Sequence, residues 1–393
     1  MPDVTTEQAL NLAIQHHQAG RIAEAQAIHR QILAREPNNA DALHLLGVIA
    51  YQTGRRQEAV KLIQRAIAIN PNNAIYHNNL GIAFRVMGQF DQAANAYQKA
   101  VGLKPDYADA YYNLGITLQS AGKLQEALAA YQSAIRYKPD FPDAYLNLGN
   151  TFQELNQNDQ AIAAYREAIG IKSNYSDAYY NLGNILKDVG MVDQAIAACR
   201  KAVEIKPDSA TAHDNLLLTL LYHPGSSGRQ IFQELARWNL RHAEPLKKFI
   251  LPHTNNREPE RRLKIGYVSG DFQKHVVGWN LLPLLHQHNR KQLEIFCYSS
   301  TKSPDDLTKC IQDSADVWRN IADVDDQKAA QMIRDDQIDI LVDLSLHSGN
   351  NRLLVFARKP APVQVTYLGY AGSTGLDTID YRFSDPYLDP PES

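Results

Sequence analysis

The fold of the first half of the chain is decided by three similar stretches, DAYYNLGITLQSAG at 109–122, DAYLNLGNTFQELN at 143–156 and DAYYNLGNILKDVG at 177–190. Each begins 34 residues after the one before it. The period continues outward: glycine stands at 47, 81, 115, 149 and 183, and alanine at 25, 59, 93, 127, 161 and 195. Proline closes most periods, at 37, 71, 105, 139 and 207. Series that stay in phase over this length indicate an array of repeated units.

Each unit has the features of two antiparallel helices. A second glycine series at 20, 54, 88, 122 and 190, with Asn156 in the missing place, can end the first helix in a left-handed turn, and the proline stops the second. The pattern resembles the tetratricopeptide repeat. Six units fit between Thr6 and Ser209, and a further helix near 210–222, with Leu217 at the glycine position, caps the array. We therefore predict an α-solenoid, a tetratricopeptide superhelix, over residues 6–223.

An asparagine recurs two residues before the glycine of the first helix, and no packing role explains it. The series consists of Asn79, Asn113, Asn147, Asn181 and Asn215. First helices line the concave face of a repeat superhelix, so these amides are predicted to form a ladder that binds the backbone of a protein or peptide substrate, since an amide offers both a donor and an acceptor. The alternative is that the amides are solvated or bond within their own helix.

The repeat pattern ends near Pro224, and a different domain follows. Residues 224–260 are interpreted as a linker region. From 261 to 393, apolar strands alternate with amphipathic segments, which is typical of a parallel sheet covered by helices. Strands are predicted at 263–269, 293–299, 317–321, 338–344, 363–368 and 379–384. The second half is therefore predicted to be a Rossmann-like α/β lobe.

Ligands of such sheets bind at the carboxyl ends of the strands, so the loops there hold the candidate site residues. The loop after the first strand carries His275, and the loop after the fourth carries His347. A neutral imidazole can accept a hydroxyl proton near neutral pH, so both are candidate catalytic residues. Each could instead have only a structural role. The loop after the fifth strand carries Gly369, Gly372 and Gly375, whose backbone can turn tightly near a phosphate.

Three segments give a more specific resemblance: KIGYVSGDFQKH at 264–275, FARKPAPVQV at 356–365 and LGYAGSTG at 368–375. With the repeats before them, they resemble the first half of the catalytic region in the O-linked N-acetylglucosamine transferase and Spindly family. The resemblance implies the N-terminal lobe of a GT-B type glycosyltransferase that moves a sugar from a nucleotide onto serine or threonine of proteins. N-acetylglucosamine from UDP-GlcNAc is the expected sugar, and fucose from GDP-fucose is the alternative. It places His275 near the acceptor hydroxyl. It implies no cofactor and no metal, with the nucleotide sugar as co-substrate.

In the resembling family a second lobe supplies most nucleotide contacts, and this sequence stops at Ser393. We therefore expect the lobe to be truncated and the isolated chain to transfer sugar poorly. The alternative is a non-catalytic repeat scaffold that carries an incomplete transferase lobe.

Composition bears on partners and compartment. Lysine and arginine total 40 against 43 acidic residues, so no basic field favours nucleic acid. The chain has no long apolar segment that would favour a membrane, and its start does not resemble a signal peptide. Three widely separated cysteines, Cys199, Cys297 and Cys310, favour neither disulfides nor a zinc site, so a cytoplasmic location is expected. The oligomeric state stays open.

Overall fold

The computed structural model describes residues 4–258, 260–370 and 372–384, and its contacts divide the chain into one unit up to Asn181 and a second from Leu182. No helix among the described residues is long and apolar enough to cross a membrane. The repeats form helices α1 to α12, as predicted. Their bounds are Thr6–Gln18, Ile22–Arg35, Ala40–Gln52, Arg56–Ile69, Ala74–Val86, Phe90–Leu103, Ala108–Ser120, Leu124–Tyr137, Pro142–Glu154, Asn158–Ile171, Ser176–Asp188 and Val192–Ile205.

The glycine of each first helix lies where the two helices of a unit touch. A Cβ added at Gly115 would lie 2.5 Å from the ring of Tyr131, and one at Gly81 would lie 2.7 Å from Tyr97. Both tyrosine side chains are fully buried. The second glycine series ends the first helices in the left-handed region, as Gly122 does with φ +74°. The predicted role of the second glycine series is therefore confirmed, and the first series allows the close contact between the two helices of a unit.

The first repeat contains a buried histidine whose protonation should control acid stability. His29 is fully buried, and neither ring nitrogen has a hydrogen-bond partner among the described residues. Burial, with a smaller contribution from the charge on His17, lowers the pKa of His29 from 6.5 to about 4. The unfolded chain therefore takes up this proton at a higher pH than the folded chain, so His29 favours unfolding as the pH falls from 6.5 towards 4.

We expect His29→Leu to make the repeats less sensitive to acid. At pH 4.5 the shift corresponds to about 2–3 kcal/mol of lost stability, and leucine at this site cannot bind the proton. Urea unfolding of both proteins at pH 7 and pH 4.5, followed by circular dichroism, measures the difference. His16→Leu is the control, because His16 is only half-buried. An equal loss of stability in the wild type and in His29→Leu on acidification would contradict the prediction.

After α12, the second unit continues with helices and turns that pack against the α/β lobe. Helix α13 spans Ala210–Tyr222, the predicted capping helix, and α14 spans Gly228–Trp238, followed by a π-helical turn at Asn239–Ala243 and a 3-10 turn at Glu244–Phe249. The segment interpreted as a linker is thus largely helical up to Phe249. Leu235 and Trp238 of α14 are buried in the same apolar cluster as Tyr298 and Phe356 of the lobe. Residues 228–243 are therefore part of the packed second unit.

The lobe contains a six-stranded parallel sheet at the six predicted places. The strands are β1 Leu263–Ser269, β2 Leu293–Ser299, β3 Val317–Asn320, β4 Ile340–Asp343, β5 Val363–Thr366 and β6 Tyr381–Arg382, and their order is β3-β2-β1-β4-β5-β6. Val268 pairs with Tyr298 on one side and with Asp343 on the other. The helices between strands are α15 Val276–Gln287, α16 Asp306–Asp313, α17 Asp326–Asp335 and α18 Leu353–Phe356. Apolar clusters cover the sheet, one containing Phe356 and the other Phe272.

Candidate functional site

The candidate site is the crevice between the carboxyl ends of β1 and β4. These strands are neighbours in space but not in sequence, and the chain continues outward from them in opposite directions. In an open parallel sheet this is the switch point where ligands bind, because the loops leaving the two strands part there. The loops are residues 270–275 after β1 and 344–352 after β4.

Direct contacts hold the two loops together. Ser269 and Ser345 face each other across the crevice, and their Oγ atoms are 3.3 Å apart. The Ser300 hydroxyl donates to the carbonyl of Asn350 at 2.8 Å, and the Thr301 hydroxyl donates to the carbonyl of Gly270 at 2.8 Å. A Cβ at Gly270 would lie 2.8 Å from Cβ of Asn350. The loops are therefore close-packed, and the site has a fixed floor.

His275 lies at this edge with its side chain 44% exposed. It is the N-cap of α15, where Nδ1 accepts a hydrogen bond from the backbone N–H of Val277 at 3.3 Å. When Nδ1 is the acceptor, the proton of a neutral imidazole is on Nε2. Nε2 is then a donor that can face a substrate oxygen. The ring can accept a proton at Nε2 only after it gives up this cap or changes tautomer.

Asp271 lies beside His275, with an Oδ2 to Nδ1 distance of 3.9 Å. Burial raises the pKa of the Asp271 carboxyl, and a positive charge on His275 opposes that rise. The backbone N–H of Asp271 donates to Ser269 Oγ at 2.9 Å. The pair places one accessible imidazole next to one largely buried carboxyl at the mouth of the crevice.

The loop after β5 packs tightly against the protein itself. We define the glycine loop as residues 367–370 and 372–376. A Cβ at Gly369 would overlap Leu346, and one at Gly372 would lie 2.7 Å from the ring of Tyr370. Gly375 has φ +67°, and a Cβ there would lie 2.9 Å from Leu235. A side chain at Gly369 or Gly372 would have to displace a neighbouring side chain, and the positive φ of Gly375 favours glycine, so the path of the loop depends on its neighbours.

The predicted asparagine ladder makes hydrogen bonds between successive repeats. In each case Nδ2 points toward a side chain of the preceding first helix: Asn79 toward His44 Nε2 at 2.8 Å, Asn113 toward Asn78 Oδ1 at 3.2 Å, Asn147 toward the Tyr112 hydroxyl at 3.1 Å and Asn181 toward Asn150 Oδ1 at 2.8 Å. These bonds are a packing role that sequence reasoning missed. All four residues are half-buried. Among the described residues, Oδ1 of Asn113, Asn147 and Asn181 has no partner.

Asn215 does not belong to the ladder surface, so its predicted role in substrate binding is wrong. It is buried, with 7% of its surface exposed, and Nδ2 points toward Cys199 Sγ at 3.3 Å. Position 217 is leucine where the repeats have glycine, and the helix carrying Asn215 packs against the α/β lobe through Leu217. A buried amide at this place cannot contact a peptide from solvent.

The chain matches family descriptions in two parts. Models of the tetratricopeptide repeat match residues 16–80, 83–122, 118–156, 152–190 and 176–209. Glycosyl transferase family 41 matches residues 209–393, which contain the whole crevice. Residues 209–393 are thus similar to glycosyl transferase family 41.

Proteins similar to parts of this chain are named as transferases or probable transferases. A Petunia hybrida protein described as a probable UDP-N-acetylglucosamine–peptide N-acetylglucosaminyltransferase SPINDLY is 36% identical over 183 residues, 46% of this chain and 20% of that protein. The Caenorhabditis elegans UDP-N-acetylglucosamine–peptide N-acetylglucosaminyltransferase is 30% identical over 153 residues, 38% of this chain and 13% of that protein. A solved mutant of the Thermobaculum terrenum O-GlcNAc transferase is 35% identical with a TM-score of 0.65, covering 73% of this chain and 55% of that one. The matches thus span about a fifth or less of those curated relatives.

The structure gives His347 of this lobe a structural position, and the expectation of a catalytic role there is withdrawn. The residue is 1% exposed. Its Nδ1 lies 2.7 Å from Asp214 Oδ1, and its Nε2 lies 2.9 Å from the carbonyl oxygen of Thr374. With both nitrogens engaged and no access from solvent, the ring cannot exchange a proton with a substrate. The two predicted histidines therefore differ, and only His275 is available for chemistry.

Asp343 is a residue of the candidate site whose role the sequence did not reveal. It ends β4 and is 1% exposed. Its carboxylate accepts from the Thr366 hydroxyl at 2.8 Å and from the backbone N–H groups of Ser345 and Leu346 at 3.2 and 3.1 Å. Burial raises the pKa of this carboxyl, and the three donors oppose the rise. An aspartate at the end of a buried strand was the available signal.

Proposed function

We propose that the chain is part of a protein O-glycosyltransferase that transfers a sugar to serine or threonine side chains of polypeptides bound by the repeats. The observation that carries the proposal is an accessible imidazole, His275, at the switch point of a parallel sheet whose sequence is similar to family 41. The relatives named as UDP-N-acetylglucosamine–peptide transferases favour N-acetylglucosamine, supplied by UDP-GlcNAc, over fucose from GDP-fucose.

In the proposed reaction, the acceptor hydroxyl oxygen forms a bond to the anomeric carbon of the sugar, and the bond from that carbon to the phosphate oxygen breaks. The nucleoside diphosphate leaves with the electron pair, and the hydroxyl proton passes to a base. His275 contributes as a donor through Nε2–H in its capped state, which can orient the acceptor or stabilise charge on oxygen. Its alternative contribution is as the base itself, after release of the cap on Val277.

The polypeptide substrate is proposed to lie along the repeats. Oδ1 of Asn113, Asn147 and Asn181 recurs at intervals of 34 residues on successive first helices, and each can accept a hydrogen bond from a peptide N–H. Since Nδ2 of each amide already bonds to the neighbouring repeat, the carbonyl is fixed in place before a peptide arrives. Fixed acceptors lose little entropy on binding, which favours recognition of backbone over sequence.

The remaining parts of the proposal concern the donor, partners and location. The glycine loop is proposed to lie near the donor diphosphate, and the nucleotide sugar is the only small co-substrate invoked. Proteins or peptides are the proposed partners, with no role for nucleic acid or a membrane. A cytoplasmic location is supported by Cys199, Cys297 and Cys310, which are all unpaired.

A direct test uses the native polypeptide, captured from its own cells with an antibody against the repeats. The captured protein is incubated with a serine-rich peptide and either UDP-GlcNAc or GDP-fucose, and mass spectrometry follows the peptide. A mass increase of one N-acetylhexosamine with UDP-GlcNAc is expected. A deoxyhexose increase would correct the donor. No transfer from either donor by a protein that still binds peptide would favour the scaffold function.

A further inference from the structure

A buried group of side chains joins the helix after the repeats to two loops of the candidate site. We call it the His347 hub: Asp214 on α13, His347 and Asn351 in the loop after β4, and Tyr370 and Thr374 in the glycine loop. Asp214 is 8% exposed, and His347 and Thr374 are 1% and 3% exposed. The proposed reaction uses none of these residues directly.

His347 contacts each part of the hub through a different atom. Nδ1 lies 2.7 Å from Asp214 Oδ1, and Nε2 lies 2.9 Å from the carbonyl oxygen of Thr374. The backbone N–H donates to the Tyr370 hydroxyl at 3.2 Å. The ring also meets Trp238 edge-on, with centroids 4.9 Å apart. The imidazole is thus fixed on several sides and connects α13 with the glycine loop.

The hydrogen-bond directions make Asp214 the residue that orients the ring. The Thr374 carbonyl can only accept, so Nε2 must carry a proton. Nδ1 then faces the Asp214 carboxyl group. Either a second ring proton on Nδ1 donates a hydrogen bond to this group, or one proton is shared between Nδ1 and Oδ1. The other carboxylate oxygen, Oδ2, accepts from Asn351 Nδ2 at 3.0 Å. Charge-assisted bonds of this kind are short and directional, so one carboxylate determines the position of two side chains in the loop after β4.

The glycine loop depends on this group for its path. Its described residues contain no regular helix or strand, and Gly369 and Gly375 lie directly against Leu346 and Leu235. The bonds from His347 to Thr374 and Tyr370 therefore supply polar attachments where the backbone has few of its own. Loss of the imidazole orientation would release the loop at Thr374, and the backbone bond from His347 to Tyr370 would be the polar attachment that remains.

We propose that Asp214 is a positioning residue that acts through His347 to hold the glycine loop in the conformation that receives the nucleotide sugar. The proposal rests on the proposed function for the donor, but the attachment of the loop does not. Helix α13 directly follows the last repeat, so the carboxylate that sets the loop comes from the repeat side of the second unit. Binding of the donor is thereby made dependent on how α13 packs.

Asp214→Ala and Asp214→Asn in the full-length protein test the proposal. Alanine removes both acceptors. Asparagine keeps the shape: after rotation its Nδ2 can donate to Nδ1 of a neutral His347 while its Oδ1 accepts from Asn351. Asp193→Asn is the control, because the exposed Asp193 carboxyl lies 3.0 Å from His223, elsewhere in the same unit.

Hydrogen exchange of peptides covering 344–352 and 367–377 is the first measurement, and it needs no activity. We expect faster exchange in both segments of Asp214→Ala, with exchange near the wild-type rate in Asp214→Asn and in the control. In transfer assays we expect KM for the nucleotide sugar to rise roughly tenfold or more in the alanine variant, with KM for peptide unchanged and donor KM largely restored by asparagine.

Unchanged exchange of the 367–377 segment in Asp214→Ala would overturn the proposal, as would a fall in kcat with donor KM unaltered. If no variant transfers sugar but the loop still exchanges faster in Asp214→Ala, the proposed function fails and the positioning of the loop stands. If Asp214→Ala does not fold, Asn351→Ala removes one donor to the carboxylate and should give a smaller rise in exchange of the same two segments; no rise there would count against the hub.

Discussion

His275→Ala is expected to lower kcat/KM for sugar transfer by about 10²- to 10⁴-fold, the range for loss of a positioned acid, base or donor. The side chain is exposed at the switch point, while His347, the other candidate, is enclosed. Peptide affinity should stay unchanged, because the asparagine ladder lies on the repeats. Steady-state kinetics of the full-length protein, with peptide binding measured separately by calorimetry, give both quantities.

Two conservative variants separate the roles open to His275. Alanine also removes the cap of α15, which costs about 1 kcal/mol, whereas His275→Asn can keep the cap through Oδ1. A loss in the asparagine variant therefore reports chemistry and not helix stability. His275→Gln places an amide N–H near the position of Nε2 but cannot take a proton. Substantial activity of the glutamine variant supports a donor role for His275. Activity as low as that of the alanine variant supports a role for His275 as the base. Full activity in all three variants would remove His275 from the reaction.

Replacing Asn113, Asn147 and Asn181 together with alanine is expected to weaken peptide binding about 100-fold. Each carbonyl contributes one hydrogen bond of about 1 kcal/mol, and about 1.4 kcal/mol corresponds to a factor of ten in affinity. The amides also bond between repeats, so some loss of stability is expected as well. Fluorescence anisotropy of a labelled peptide measures the affinity, below the unfolding temperature of the triple variant.

The partners of these amides provide a matched control. Tyr112→Phe removes the hydroxyl that accepts from Asn147, and Asn150→Ala removes the acceptor of Asn181, while both ladder carbonyls remain. The two changes should lower stability as the ladder variants do, with a smaller loss of affinity than in the triple variant, because the carbonyls remain but are held less firmly. Equal weakening of peptide binding in the control and in the triple variant would mean that the asparagines act only in packing.

The sequence predicted the parts of the fold that depend on local or periodic patterns. The 34-residue period located the helix pairs, because close contacts such as Gly115 with Tyr131 require a small residue at a fixed place. The six strands were predicted because buried parallel strands are short apolar runs. Each of these patterns can be recognised within a few residues or within one period of the repeat.

The roles of particular side chains were predicted less well, because they depend on residues far apart in sequence. His347 resembled a catalytic residue on a polar loop, but its partner, Asp214, is 133 residues away. Asn147 seemed to lack a packing partner, since the Tyr112 hydroxyl lies 35 residues before it, one residue out of phase with the period. Segment 224–260 looked like a linker because the repeat pattern ends there, yet Trp238 is fully buried. No local pattern marks such pairs.

The glycine of each first helix and the side chain that fills the space beside it belong to one and the same unit, as with Gly81 and Tyr97 or Gly149 and Tyr165. A whole unit can therefore be gained or lost by duplication or deletion without leaving a cavity inside any remaining helix pair. The junctions are less interchangeable, since Asn79 bonds to a histidine, Asn147 to a tyrosine and Asn181 to an asparagine. Changes in the length of the array should thus be tolerated in steps of 34 residues. Selection would then act on the side chains at the new junction between repeats.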